Sequence, residues 1–124
     1  MRSERLYLAD IMQACDAIEK FIAGFDEARF LTDDLRKAAV VHKLTVIGEA
    51  ATRISKGLRE RHPQVNWKAA IGLRNFAVHV YFAIRWDIIW TTVMRDIPVL
   101  RKQIEEIYPK EFPGETPLFD EPDV

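Results

Sequence analysis

The stretch of residues 72–82 is largely apolar but contains four strongly polar side chains: Arg74, Asn75, His79 and Tyr81. A guanidinium offers a planar fork of donors to phosphate oxygens, and an imidazole takes or gives a proton near neutral pH. Such groups could cleave RNA without a metal: the ribose 2′-hydroxyl attacks the adjacent phosphate, His79 moves a proton and Arg74 holds the nonbridging oxygens. Asn75 would orient one of those oxygens. The spacing alone is more often that of a capping arginine and an interhelical histidine.

One imidazole supplies only half of the proton transfers in RNA cleavage, because the general acid and the general base are normally distinct groups. A twofold axis that brought His79 to its symmetry mate would complete the site, so the sequence predicts a homodimer. Five large aromatic residues near the motif suit the core of such an interface, or equally the core of the monomer. They are Trp67, Phe76, Phe82, Trp86 and Trp90.

Apolar residues recur at helical spacing along the chain, and no useful alternating β pattern is present. The fold class predicted is all-α, an up-and-down four-helix-type bundle with a short extra helix before the motif. The predicted helices run from an N-cap at Ser3 to Gly24, from residues 32–34 to about Gly57, from a cap at Asn66 through Trp67 to about Val78, and onward from near Asp87.

Two details of these helices affect the site. If the third helix reaches His79, Asn75 and His79 lie one turn apart and face the same way, while Tyr81 falls past the helix end. Pro98 is expected to bend the fourth helix or shift its register without ending it.

The composition is that of one compact domain, with 124 residues, 18 Lys and Arg, 19 Asp and Glu, and 48% hydrophobic residues. Residues 1–112 are predicted to form the helical domain and residues 113–124 an acidic, flexible tail. The chain has no apolar run of membrane-spanning length, and the lone Cys15 suits packing in a reducing compartment. A cytoplasmic location is therefore predicted.

Positive charge is concentrated from Arg36 to Arg74, where nine basic residues accompany only Glu49 and Glu60. This excess makes polyanions plausible partners, although a solvated helix face is the commoner explanation.

The second helix has an unusual stripe, which we assign to its inner face. His42 and Glu49 are two turns apart on it, and Gly48 and Ala50 would let another helix approach closely. A buried carboxylate is costly unless it is paired, so Glu49 should meet a cation or several donors from elsewhere in the fold. Equally, Glu49 could be a boundary residue that reaches water.

The pattern Arg74-Asn75-x-x-x-His79-x-Tyr81 resembles the Arg-x4-His-x-Tyr signature of the HepT toxins, a branch of the HEPN superfamily. The similarity covers nearly all of residues 1–112. It includes residues 47–51, Trp67 ahead of residues 72–75, and residues 86–90 at the start of the last long helix.

The resemblance implies an all-helical protomer that pairs so that both motifs face a shared cleft. It also implies an endoribonuclease toxin acting on RNA such as tRNA or mRNA, with Arg74 and His79 assigned to cleavage. The antitoxin of that family, the nucleotidyltransferase MntA, silences the toxin by transferring adenylyl groups from ATP to the tyrosine that matches Tyr81 (AMPylation). The partner antitoxin consumes the ATP, and neither a metal nor a resident cofactor is expected in this chain. Val80 departs from the pattern, because many relatives have an acidic residue there.

Two other functions compete with this interpretation. The chain could be a non-catalytic module that binds nucleotide or tRNA beside a nucleotidyltransferase, as its substrate or specificity subunit. It could also be a helical interaction protein in which the motif is purely structural.

Overall fold

The computed structural model describes residues 3–81 and 84–117, without the side chains of residues 78–81. Within these residues the chain is helical and forms no strand, which confirms the predicted all-α fold. The elements are α1 (Glu4–Ile22), α2 (Glu27–Leu31), α3 (Asp34–Thr52), α4 (Lys56–Arg61), α5 (Trp67–Gly72), a 3₁₀ helix (Leu73–Tyr81) that we call the motif helix, α6 (Trp86–Thr91), a π-helical segment (Thr92–Asp96) and α7 (Ile97–Glu111).

The core lies where α1 packs against α3 on one side and against α7 on the other. Each of these helices contributes side chains that solvent does not reach. Burying one such aliphatic side chain stabilises the fold by roughly 1.5 to 3 kcal/mol. The most deeply buried are Leu8, Ile11 and Ile18 of α1, Val40, Leu44 and Ile47 of α3, and Ile104 and Ile107 of α7.

Local sequence signals fix several helix ends. Gly24 has φ of 77° just after α1, a conformation that favours glycine, and the Asp33 carboxylate accepts a hydrogen bond from the Arg36 backbone N–H at the start of α3. Ser3 precedes α1, but its side chain makes no capping bond. The predicted extension of α3 to Gly57 is wrong: the helix ends at Thr52.

The sequence analysis missed two short helices. The Ser55 hydroxyl accepts from the Leu58 backbone N–H and begins α4, and the Asp26 carboxylate accepts from the Arg29 N–H and begins α2. Each helix buries a single large side chain, Leu58 in α4 and Phe30 in α2, so neither produces a visible periodic pattern.

The last long helix changes its winding ahead of Pro98, as predicted. In the π-helical segment the Ile97 N–H donates to the Thr92 carbonyl, five residues back. A proline ring clashes with the carbonyl four residues before it in a regular α-helix, and the wider π turn relieves that clash. The apolar periodicity resumes in α7 with Leu100 and Ile104, both buried.

A carboxylate near the end of α7 ties this helix to α4. Arg61 donates two hydrogen bonds to Glu111, of 2.6 and 3.1 Å, and His62 Nε2 lies 2.7 Å from the same carboxylate. These hydrogen bonds, that of Arg61 above all, lower the pKa of Glu111 to about 2.

The described chain returns to α1 after α7. Arg5 Nε lies 2.7 Å from a carboxylate oxygen of Glu115, and the buried Tyr108 donates its hydroxyl to the Thr116 carbonyl at 3.2 Å.

Cys15 is buried in the core, which suits the predicted packing role, and burial raises the pKa of its thiol to about 12. No helix in the described part of the chain is long and apolar enough to cross a membrane.

Candidate active site

The position of the motif helix is set by α5, which leads directly into it. The Asn66 side chain accepts a hydrogen bond of 3.0 Å from the Ala69 N–H and caps α5, as predicted. The Trp67 indole N–H donates to the His62 carbonyl at 2.9 Å, and the side chain is 8% exposed. These contacts fix α5 and therefore fix where the motif helix begins.

The motif adopts a 3₁₀ helix rather than the expected α-helix. A 3₁₀ helix has about three residues per turn, so residues three apart share a face and residues four apart do not. The α-helical winding on which the expected alignment of Asn75 with His79 depends is therefore absent from residues 73–81. Tyr81 is the last residue of the helix rather than lying past its end. The side chains of His79 and Tyr81 lie outside the described residues, so their positions stay predictions.

The backbone of Arg74 lies directly against Gly48 of α3. A Cβ atom built on Gly48 would be 2.4 Å from the Arg74 nitrogen and 2.8 Å from its Cβ. Real Cβ atoms essentially never come so close to another atom, so only glycine permits this contact. The close approach predicted at Gly48 is confirmed, and the element that approaches is the motif helix.

The guanidinium of Arg74 lies beside the same turn of α3. Its Nη1 atom is 3.7 Å from Oε1 of Glu49 and 3.4 Å from the hydroxyl oxygen of Thr52. The side chain is 41% exposed, so the guanidinium remains accessible to a solute. Asn75 is also exposed.

The assignment of His42 and Glu49 to an inner face of α3 is wrong, because both residues are exposed. The buried side of α3 is defined by Val40, Leu44 and Ile47. His42 and Glu49 each lie two residues beyond a buried residue, which is about 200° around the helix. Glu49 nevertheless meets the expected cation, so it is both a paired residue and a residue that reaches water.

An open groove of about 470 Å³ runs between α3 and the motif helix. Its wall on the motif helix is Ala77, which lies one 3₁₀ turn after Arg74 and so shares its face. The lining residues are Asp34, Lys37, Ala38, Val41, His42, Thr45, Ala77 and Trp86.

Several cations of the basic segment hold the fold together. Arg36, Lys37 and Arg61 are bound to carboxylates or backbone carbonyls of their own or neighbouring elements. Because these three cations are already bound, the positive charge available to a polyanion is smaller than the sequence count implies. Arg53 and Lys68, by contrast, are exposed.

The aromatic residues around the motif pack against the core of this chain. Phe30 is fully buried, and its ring centroid lies 6.2 Å from that of Trp86 and 5.2 Å from that of Trp90. Phe76 is partly buried against the same core. These contacts favour the monomer-core alternative for the described aromatics, while Phe82 lies outside the described residues.

No group of three or more histidine, cysteine, aspartate or glutamate side chains within the described residues could hold a metal ion. The polar groups that converge here are the guanidinium of Arg74, the carboxylate of Glu49 and the hydroxyl of Thr52. An accessible guanidinium of this kind can bind an anion such as a phosphate.

Comparison with known proteins assigns the chain to a family. A family model described as "Ribonuclease HepT-like" matches residues 11–107, which include the Gly48 contact and the whole motif helix. The chain belongs to the ribonuclease HepT-like family. This assignment confirms the resemblance seen in the sequence and the expected ribonuclease class.

Individual relatives agree with this HepT-like assignment. A candidate RNase of Caldanaerobacter subterraneus subsp. tengcongensis is 38% identical over 111 residues, covering 90% of this chain and 99% of the relative. A candidate RNase of Methanocaldococcus jannaschii is 34% identical over 104 residues, covering 84% and 95%. A probable ribonuclease HepT of Thermococcus cleftensis is 34% identical over 106 residues, covering 86% and 96%. No solved structure matches this HepT-like chain significantly.

The sequence analysis did not find Thr52. Its position offered a signal, because Thr52 is four residues after Gly48 and three after Glu49, which puts all three on one side of a helix. A polar residue on the same side of a helix as a glycine that allows close packing is a candidate to contact the element that packs there.

Proposed function

We propose that the protein is the toxin of a two-gene toxin-antitoxin system and that it cleaves RNA with Arg74 and His79. The observation that carries this proposal is the state of Arg74, whose guanidinium is accessible and lies beside Glu49 and Thr52 of α3. The family match spans both residues of the pair, and the names of the relatives describe RNases.

The reaction follows from the chemistry of these groups. The ribose 2′-oxygen attacks the adjacent phosphorus while a base removes its proton, and the bond to the 5′-oxygen breaks as an acid protonates that oxygen. Arg74 binds the nonbridging oxygens, where negative charge grows in the transition state. His79 moves one of the protons, Asn75 orients a nonbridging oxygen, and no step requires a metal or resident cofactor. The products are a 2′,3′-cyclic phosphate and a 5′-hydroxyl.

The groove against Ala77 of the motif helix is the place where we expect the RNA to lie. Single-stranded RNA stacks on aromatic side chains, and Trp86 and His42 line the groove. The ammonium of Lys37, which is bound to Asp34 and to the Leu31 carbonyl, lies 4.7 Å from the centroid of the Trp86 ring. Ala77 connects this groove to the face of the motif helix that carries Arg74.

The second proton transfer is assigned to a second copy of the chain. In a homodimer, the partner copy would supply a second imidazole to the same phosphate. Mixing wild-type protein with the His79→Ala variant tests this idea. Activity should fall as the square of the wild-type fraction if both imidazoles act on one phosphate, and a linear fall would refute a shared site.

Cleavage itself is tested with purified protein and a labelled RNA in the presence of EDTA. We expect cleavage by the wild type and by the matched control Lys102→Ala, which removes an exposed cation of α7 outside the basic segment. The variants Arg74→Ala and His79→Ala should lose activity by at least about 100-fold while retaining the wild-type circular dichroism spectrum. Full activity in both variants would refute the catalytic assignment. RNA binding without cleavage by the wild type would favour the non-catalytic module.

Tyr81 is the proposed site of silencing. Its phenol oxygen would attack the α-phosphorus of ATP bound to an MntA-like antitoxin, losing its proton to a base and releasing pyrophosphate. The resulting ester would place a bulky anion near Arg74 and block phosphate binding.

Co-expression with an MntA-like nucleotidyltransferase tests this regulation. Intact mass should increase by one or more AMP units, and the increase should disappear in Tyr81→Phe. An unchanged mass of the co-expressed wild type, or an increase that persists in Tyr81→Phe, would overturn the assignment of Tyr81.

A further inference from the structure

One turn of α3 holds both the backbone and the guanidinium of Arg74. Gly48 fixes the backbone through its close contact, while Glu49 and Thr52 lie beside Nη1. We infer that Glu49 and Thr52 are positioning residues that hold Arg74 ready for phosphate before RNA arrives. This inference rests on the proposed function.

The hydrogen bonds of Thr52 define its role. The Thr52 hydroxyl donates its only proton to the Gly48 carbonyl at 2.8 Å. Its oxygen can therefore only accept a hydrogen bond from Arg74, whose Nη1 lies 3.4 Å away. The Gly48 carbonyl thus orients the Thr52 hydroxyl so that its oxygen can accept a hydrogen bond from Arg74.

The arrangement leaves most of the guanidinium available. A guanidinium has five N–H donors, two of them on Nη1. Among the described residues, the partners of Arg74 are found only at Nη1, so the donors on Nη2 and Nε are available to a phosphate. A bidentate contact with two phosphate oxygens needs only one such edge.

The exposure of the pair makes it suitable for positioning. Glu49 is 53% exposed and Arg74 is 41% exposed, and ion pairs between such side chains are weak. Charge-assisted hydrogen bonds to a phosphate are stronger, so the phosphate can recruit the guanidinium without competing against a buried pair. The contact with Glu49 restricts the arginine but does not prevent phosphate binding.

This role predicts a lower kcat without a weaker apparent affinity for RNA. Without Glu49 or Thr52, Arg74 would have to be ordered during the reaction, which should lower kcat by about 2- to 10-fold. Loss of the Glu49 carboxylate also removes a negative charge beside the phosphate, so KM should fall in the Glu49 variants. Partial unfolding would instead lower the apparent kcat at an unchanged KM.

The test uses Glu49→Ala, Glu49→Gln and Thr52→Val, with Glu60→Gln as the matched control. Glu60 is an exposed glutamate whose partner is Lys56 at 3.8 Å, away from the motif. RNA cleavage kinetics are measured for each variant, and ¹⁵N NMR measures the rotation of the Arg74 guanidinium in the free protein.

We expect faster rotation of the Arg74 guanidinium in Glu49→Ala and Thr52→Val, together with a lower kcat. Glu49→Gln, which keeps an oxygen acceptor, should lie between Glu49→Ala and the wild type, and Glu60→Gln should match the wild type. Unchanged rotation in both Glu49→Ala and Thr52→Val would overturn the inference, whatever the kinetics. Altered rotation with no cleavage by any protein, including the wild type, would support positioning and refute the proposed function.

Discussion

The substitution Gly48→Ala tests the contact on which the site depends. The added methyl carbon would lie 2.4 Å from the Arg74 nitrogen, 2.8 Å from its Cβ and 3.0 Å from its Cα. Non-bonded carbon atoms rest about 3.5 to 4.0 Å apart, so α3 and the motif helix would have to separate by about 1 Å. Two of the three clashing atoms are backbone atoms, so a side-chain rotation cannot relieve the strain.

The expected loss of stability follows from this overpacking. An extra methyl group in a tightly packed place costs about 1 to 3 kcal/mol of unfolding free energy. For a domain of this size, each kcal/mol lowers Tm by about 3 to 6 °C, so Tm should fall by about 3 to 18 °C. A displacement of about 1 Å at a reacting group can cost about 100-fold in rate, so RNA cleavage should fall more than stability alone explains.

Thermal unfolding by circular dichroism and cleavage at a temperature well below Tm measure the two effects separately. The matched control is Gly72→Ala, because a Cβ on Gly72 meets nothing within 4 Å. That variant should melt at or slightly above the wild-type temperature, since alanine favours helix over glycine by up to about 1 kcal/mol. If Gly48→Ala has the Tm and cleavage rate of the wild type, the reasoning about close approach is refuted.

Three further predictions concern the framework. The pKa of Glu111 is lowered to about 2, so its stabilising effect is complete above the unfolded value near 4.3 and is lost as pH falls toward 2. Glu111→Gln should cost about 1 to 3 kcal/mol at pH 7 and flatten the dependence of Tm on pH in this range; an unchanged pH profile would contradict it. Asn66→Ala should cost about 1 kcal/mol in urea unfolding through loss of the α5 cap, and a change below about 0.3 kcal/mol would show that the cap is unimportant. Cys15, buried and with a thiol pKa of about 12, should react with a thiol reagent at pH 8 only in urea, so rapid labelling of the native protein would show that it is accessible.

Helix ends with a local chemical cause could be predicted from the sequence. Asp33 and Asn66 cap α3 and α5 through their own side chains, and Gly24 adopts the positive φ that ends α1. Pro98 likewise predicted a bend or a shift of register, which occurs as π-helical winding before α7. These signals depend on one or two neighbouring residues, so no knowledge of the tertiary fold was needed.

Features of the site that depend on packing could not be predicted in the same way. The 3₁₀ winding of residues 73–81 brings the motif against α3, and a helical sequence pattern does not distinguish it from α winding. The exposure of Glu49 was equally hidden, because α3 has apolar residues around much of its circumference, including the 82% exposed Leu35. The sequence analysis predicted that Glu49 meets a cation, but only the fold shows that this cation is Arg74 and where on α3 the two side chains meet.

The contact between Arg5 and Glu115 joins residues that are 110 positions apart in the sequence. A covalent cross-link at this place would therefore enclose almost all of the described chain in one loop. Such a cross-link would reduce the conformational freedom of the unfolded chain and raise the melting temperature while leaving the helices as they are.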